Sequence, residues 1–246
     1  FSTGESFSLP KCFWYLISWQ WHEDGSATMH NMQDTPADIL ITQGYNMTNK
    51  ATIKRFECDW ARRTLGCHIC PKGNMTHKDP TADTEYSVKH TLAINWVISV
   101  NAANLTRQEA HMAYHGVLQA QLGYSLGTTT FTKQQLQPIQ TIIDQAYKPK
   151  IGLNRKFPTE VLQGPPEFNG LSTIPLITTQ GFKQTQLLIG SLRNDDDTGK
   201  LASATLQYEQ IDSGLTTPIL QTATTLTYQT WTTPTWISSL KNFYTA

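Results

Sequence analysis

Long apolar runs are missing from this 246-residue chain. The nearest, Ala93 to Val100, is interrupted by Asn95 and falls well short of the roughly 18–20 apolar residues that a membrane-spanning helix needs, so no membrane segment is expected. Net charge is missing as well: Lys+Arg and Asp+Glu both number 19. No global field announces a polyanionic partner, and any such signal has to be local. Cysteine is scarce, with only Cys12, Cys58, Cys67 and Cys70, too few and too scattered for a disulfide scaffold; an intracellular setting, nuclear or cytoplasmic, is expected. Three N-x-[ST] triplets, at Asn46, Asn74 and Asn104, are of a kind common by chance and do not displace that reading. The chain opens Phe1-Ser2-Thr3-Gly4-Glu5 without Met, basic n-region or apolar h-region, which suggests a segment of a longer protein.

Recognisable catalytic motifs are absent too. There is no Gly-rich phosphate loop, no Gly-x-Ser-x-Gly elbow and no His-Glu-x-x-His helix.

What the chain does contain is a change of period. Up to about residue 76 it reads as antiparallel β: an aromatic and β-branched run from Cys12 to Trp21, a turn around Asp24-Gly25, and a returning strand from Ala27 to Met32. Short strands are expected at Ile39–Thr42, Ala51–Phe56 and Thr64–Cys70, the last closed by Pro71-Lys72-Gly73-Asn74. From 77 to 147 the spacing becomes helical. Val88, Leu92 and Trp96 mark one helix. Thr106-Arg107-Gln108-Glu109 is a capping box for a second, with Ala110, Ala113, Tyr114, Val117 and Leu118 as its stripe and Gly123 as its stop. Leu136, Ile139, Ile143 and Tyr147 mark a third, with Pro138 predicted in its first turn. Residues 148–246 begin with a connection punctuated by Pro and Gly. Helices over Phe182–Arg193 and Lys200–Ser213 follow, then a Thr- and Pro-rich stretch and a short amphipathic helix through Trp236, Leu240 and Phe243. The expected class is α+β, a small antiparallel sheet followed by helices.

Three clusters are candidates for chemistry. Cys67-His68-Ile69-Cys70 has the spacing of half a zinc site, but the second pair is missing: Cys58 and His77 do not supply it, and strand alternation sets Cys67 and Cys70 on opposite faces. No metal is expected there. Asp195-Asp196-Asp197 is the only carboxylate cluster, and its place between two helices reads as a solvated turn with an N-cap. Lys148, Lys150, Arg155 and Lys156 put four cations within nine residues and no acid among them. A phosphate backbone and an ordinary solvated loop both account for that composition.

Several segments together resemble reverse transcriptases of non-LTR-type retroelements, in the region after the catalytic aspartates. Gly4 to Trp14, GESFSLPKCFW, is similar to the segment entering a late palm strand; Arg63-Thr64-Leu65-Gly66, closed by Pro71-Lys72-Gly73-Asn74, is similar to the primer-grip strand and turn. Lys150 to Pro158, Gly164-Pro165 and Phe168-Asn169-Gly170-Leu171 resemble a downstream Gly-x-Asn-Arg-x-x-Pro, Gly-Pro, Gly-Gly-Leu block, with Asn169 where a first Gly is usual.

The resemblance implies a late-palm and primer-grip sheet over 1–76, a helical thumb over 77–147 and a helical extension over 148–246. Lys11 would lie near the incoming nucleotide and assist proton transfer to pyrophosphate, although a solvent lysine at a strand start explains it as well. Leu65 and Gly66 would approach the primer, Gly66 allowing close backbone contact. The Phe/Tyr-x-Asp-Asp turn is not in this chain. Mg2+ is therefore implied for the parent RNA-directed DNA polymerase and no cofactor for this fragment, which alone should be inactive. Its partners would be an RNA template, a DNA primer and the upstream palm and fingers. The alternative is a non-enzymatic nucleic-acid- or protein-binding module.

Overall fold

The structure, a computed structural model, describes residues 8–43, 49–72, 84–194, 196–214, 216–221 and 236–245. It is α+β and divides into two compact units, Phe1–Thr84 and Glu85–Ala246.

The first unit is built from short strands: β1 (Phe13–Trp14), β2 (Trp19–Trp21), β3 (Ala27–Met29), β4 (Ile39–Gln43), β5 (Asn49–Arg55), β6 (Arg62–Thr64) and β7 (Cys67–Ile69). The Asp-Gly hairpin forms as its sequence predicts: Trp19 faces Met29, Trp21 faces Ala27, and Gly25 takes φ +81.

Two expectations need correction. The run Cys12–Trp21 is not one strand. After β1 the chain turns aside because the Tyr15 hydroxyl donates to Trp60 O at 2.8 Å and Cys58 Sγ donates to Leu16 O at 3.2 Å, which spends residues 15–16 on covering the Cys58–Trp60 turn. Nor is the pairing all antiparallel, since β1 lies parallel to β5, Phe13 against Lys54 and Trp14 against Arg55, and β5 pairs antiparallel with β4. The small core of Phe56, Cys58, Ala61 and Cys70 is reinforced by the Arg62 guanidinium, 3.6 Å from the Phe56 ring centre.

The second unit is helical: α1 (Glu85–Ala102), α2 (Arg107–Met112), α3 (Gln119–Leu126), α4 (Lys133–Lys150), α5 (Thr159–Gln163), α6 (Leu176–Arg193), α7 (Asp197–Asp212) and α8 (Trp236–Thr245). A π-helical segment, Ala113–Leu118, joins α2 to α3 without a break. The Thr106–Glu109 capping box is present on both sides.

Gly123 does not stop this helix. It lies buried inside α3, where a Cβ would sit 3.6 Å from Thr179 Cγ2 of α6, and the turn comes at Gly127, whose carbonyl accepts from Trp236 Nε1 at 2.9 Å. Helix α4 starts earlier than predicted, because Thr132 and Gln135 make a second capping box. Pro138 then sits mid-helix on the exposed face, where the carbonyl left without an amide partner meets water. The expected boundary at 148 falls inside the last turn of α4.

The buried face of α1 is rotated from the predicted stripe. Glu85, Lys89, Ala93, Trp96 and Val100 are buried while Ile98 is exposed. The cause is a buried ion pair: Lys89 Nζ lies 3.5 Å from Glu85 and donates to Gln121 O at 3.2 Å, and the Ser125 hydroxyl donates to Glu85. These links tie α1 to α3. At the far end Leu188, Ile237 and Leu240 form a core patch covered by Leu206, Leu220, Trp236 and Phe243, so the amphipathic helix through Trp236 forms as expected. Residues 222–235, the Thr- and Pro-rich stretch, lie outside the described residues.

Candidate nucleic-acid interface

The four clustered cations meet at the C-terminal end of α4, but they do different work. Lys148 is buried, and its Nζ donates to Phe157 O at 2.7 Å and Thr159 Oγ1 at 3.2 Å. It folds the following turn back on the helix. One turn earlier Asp144 is also buried, held by Gln140 Nε2 at 2.7 Å; burial pushes its carboxyl above the usual range, with the Gln140 hydrogen bond and the Lys148 charge opposing.

Lys150 Nζ donates to Asn101 O at 3.4 Å and Ala103 O at 2.8 Å. It thereby caps carbonyls at the end of α1 that have no helical partner. Both lysines belong to α4 and to packing. Replacing Lys148 with Met should cost about 1–3 kcal/mol, since buried acceptors lose a charged donor, and urea unfolding of the full chain measures it.

Arg155 and Lys156 are exposed, on a turn with little freedom. Leu153 N donates to Lys148 O at 2.8 Å, Lys156 N to Asn154 Oδ1 at 2.8 Å and Phe157 N to Asn154 O at 2.9 Å. Gly152 carries φ +83, and a Cβ there would come within 2.6 Å of Arg107 Nη2. The Arg107 guanidinium therefore lies over the turn.

Arg107 was not singled out by the cation cluster, although a signal existed: it stands in the first turn of α2, where a positive charge opposes the helix dipole. Arg107, Arg155 and Lys156 make a fixed cationic edge. From Gln145 to Thr159 the chain has no acid.

The rest of the turn-rich connection is a tight loop. Ser172 N donates to Gly164 O at 2.9 Å and Thr173 N to Leu162 O at 3.1 Å, which brings Gly170 against Gly164 so closely that any Cβ would collide. Asn169 takes φ 59, ψ 24, a left-handed conformation that Gly adopts freely and Asn tolerates best among the other residues.

In the first unit Lys11 is exposed at the end of a short 3-10 turn, Leu9–Lys11, leading into β1. Leu65 and Gly66 are the two-residue turn between β6 and β7, with φ 48 and 88, and Leu65 is 89% exposed. The predicted strand Thr64–Cys70 is thus a strand end, a turn and β7. Positive φ at both positions matches the right-handed twist of a hairpin and presents Leu65 at its tip.

The remaining clusters do not converge. Asp196 caps α7 through Gly199 N at 2.7 Å, as its place between helices predicts, and Asp195 lies outside the described residues. Cys58 and Cys70 are buried, Cys70 Sγ donating to Cys58 O at 3.1 Å, and burial pushes the Cys58 thiol up. His77, Gly73 and Asn74 are outside the described residues, as are residues 1–7. Among the described residues no group of three His, Cys, Asp or Glu side chains is placed to hold a metal, and no helix is long and apolar enough to cross a membrane. No protein-family model, no curated protein and no solved structure matches this chain.

Proposed function

We propose that this chain positions a primer and template for RNA-directed DNA synthesis, as the part of a reverse-transcriptase-like polymerase downstream of the catalytic aspartates, and that the edge formed by Arg107, Arg155 and Lys156 contacts the phosphate backbone. The observation that carries the reading is the division of labour around α4. Lys148 is consumed in fixing the turn and Lys150 in capping the end of α1, and that fixed turn holds two exposed cations beside a third. Backbone recognition of a duplex needs this kind of preset array of charge.

Further support comes from the segments that carry the resemblance, because they fall where the backbone demands them: Gly152 at positive φ, Gly170 at a close approach and Asn169 in the left-handed region. Lys11 near the nucleotide and Leu65-Gly66 at the primer belong to the same proposal, with Mg2+ held by the parent polymerase.

Fluorescence anisotropy with an RNA–DNA primer-template at several salt concentrations tests it. Three phosphate contacts predict a log-log slope of about −2 to −3, and Arg155→Ala with Lys156→Ala should remove roughly two of the three. A slope unchanged by the double substitution rejects the edge. The chain alone should incorporate no dNTP; templated incorporation would reject the assignment of catalysis to another segment.

A further inference from the structure

Behind the cationic edge runs a row of side chains that the reading above does not use. Arg107, His111 and His115 stand four residues apart on one continuous helix, on the same side of it. The two imidazoles are 4.3 Å apart between ring centres. His111 Nδ1 lies 2.9 Å from the Tyr147 hydroxyl of α4, and Tyr147 stacks on Tyr114 at 4.4 Å. Burial pushes the Tyr147 hydroxyl up to about 12, so it stays neutral and can either donate to His111 or accept from it. His115 is different: its Nε2 is buried with no hydrogen-bond partner among the described residues. Burial, and then the neighbouring His111, hold its pKa below the usual imidazole value. A hydrogen on that buried nitrogen would have no acceptor, which disfavours the charged ring and places the hydrogen of the neutral ring on Nδ1.

We propose that His111 and His115 extend the Arg107 edge into a proton-linked phosphate contact, in which a backbone phosphate docks across the two imidazoles and His111 takes up one proton from solvent. The inference rests on the proposed nucleic-acid reading. On protonation the Tyr147 hydroxyl turns to accept from Nδ1, and Nε2–H faces the anion as a charge-assisted donor.

The surroundings favour one positive charge and no more. On its own helix His111 has Arg107 one turn before and His115 one turn after, while Glu109 is held by Thr106. From α4 it meets Tyr147, with Asp144 and Lys148 further along that helix. Lys150 ends α4, and the turn beyond it carries Arg155 and Lys156. From α1 comes Trp96, whose Nε1 donates to Ala113 O at 3.3 Å. A second imidazolium beside the first would be repelled, and the anion relieves only one.

The test is titration calorimetry of the full chain with an RNA–DNA duplex at pH 6.5, in two buffers of different ionisation heat, with Kd read at pH 5.5 and 7.5. Net uptake of up to about half a proton, the most that a one-unit pKa shift gives at its midpoint, and a Kd up to about tenfold lower at pH 5.5 than at pH 7.5 are expected, since one unit of pKa shift corresponds to a factor of ten. His111→Gln should abolish both while retaining binding at pH 7.5. The wild-type calorimetry stands even if that variant folds poorly. Binding without proton uptake, or uptake undiminished in a folded His111→Gln, overturns the inference and leaves the nucleic-acid reading intact. No binding at either pH overturns both.

Discussion

Lys89→Met, with Glu85 left in place, should destabilise the helical unit by about 3–5 kcal/mol. The number follows from what is left behind: a carboxylate at 2% exposure that has lost the Lys89 cation, with the neutral Ser125 hydroxyl still donating to it. Removing one partner of a buried pair costs far more than the pair contributes, because the other charge stays desolvated and uncompensated. Glu85→Gln should cost less than Lys89→Met, since the amide still accepts from Ser125. The double variant Glu85→Leu, Lys89→Met removes both charges, and its stability should return to within about 1–2 kcal/mol of the parent, because apolar replacement of a whole buried pair is often neutral. Urea unfolding of the parent, Lys89→Met, Glu85→Leu and the double variant closes the cycle. Two single variants whose costs simply add in the double would mean the pair is not coupled.

Gly170→Ala should be the other severe change, costing at least about 2 kcal/mol, because the added methyl has nowhere to go. The obstacle is the backbone of Gly164, and backbone cannot swing aside as a long side chain can. Yielding would open the hydrogen bonds of Ser172 to Gly164 and Thr173 to Leu162, and with them the seat of the fully buried Leu162. The neighbouring residue is the control. Asn169→Ala meets no collision and keeps the Cβ that Asn already places in the left-handed region, losing only the polar group that eases it there, for less than about 1 kcal/mol, and Asn169→Gly should be neutral or slightly stabilising. Unfolding midpoints and proteolysis within 159–175 distinguish these variants. Equal behaviour of Gly170→Ala and Asn169→Gly would show that the close approach does not exist in solution.

Features specified by neighbouring residues were legible in the sequence. The Asp-Gly hairpin, the Thr106 capping box and the Asp196 cap each depend on groups within four residues, and each formed as its local chemistry requires. What the sequence concealed depends on distant partners. Nothing near Cys12–Trp21 says that Tyr15 will reach Trp60, which splits that run in two. Nothing near Val88 says that Glu85 and Lys89 will be buried together, turning α1 away from its most apolar side. Gly123 looks like a stop until α6 lies against it. At the candidate interface the cation cluster was visible but not its partition. Lys148 and Arg155 look alike in sequence, and only the position of Phe157 O and the end of α1 separates structural charges from free ones. Arg107, forty-eight residues before Arg155 in the numbering, joins them only through the fold.

The π-helical segment has a consequence for phase. Five buried side chains, Ala110, Tyr114, Leu118, Leu122 and Leu126, follow one another at a spacing of four. In an ideal α-helix each such step overshoots a full turn by about 40°, so four steps would carry the last side chain to the far side of the rod. The wider π turn rotates the chain less per residue and cancels part of that overshoot. It works as a vernier between two scales, letting α2 keep the angle set by Gly152 and Tyr147 while α3 keeps the angle set by α6. The same correction seats His115 over His111. Were Ala113–Leu118 to take ordinary α geometry at the same length, the rod would stay continuous but its two ends would fall out of step.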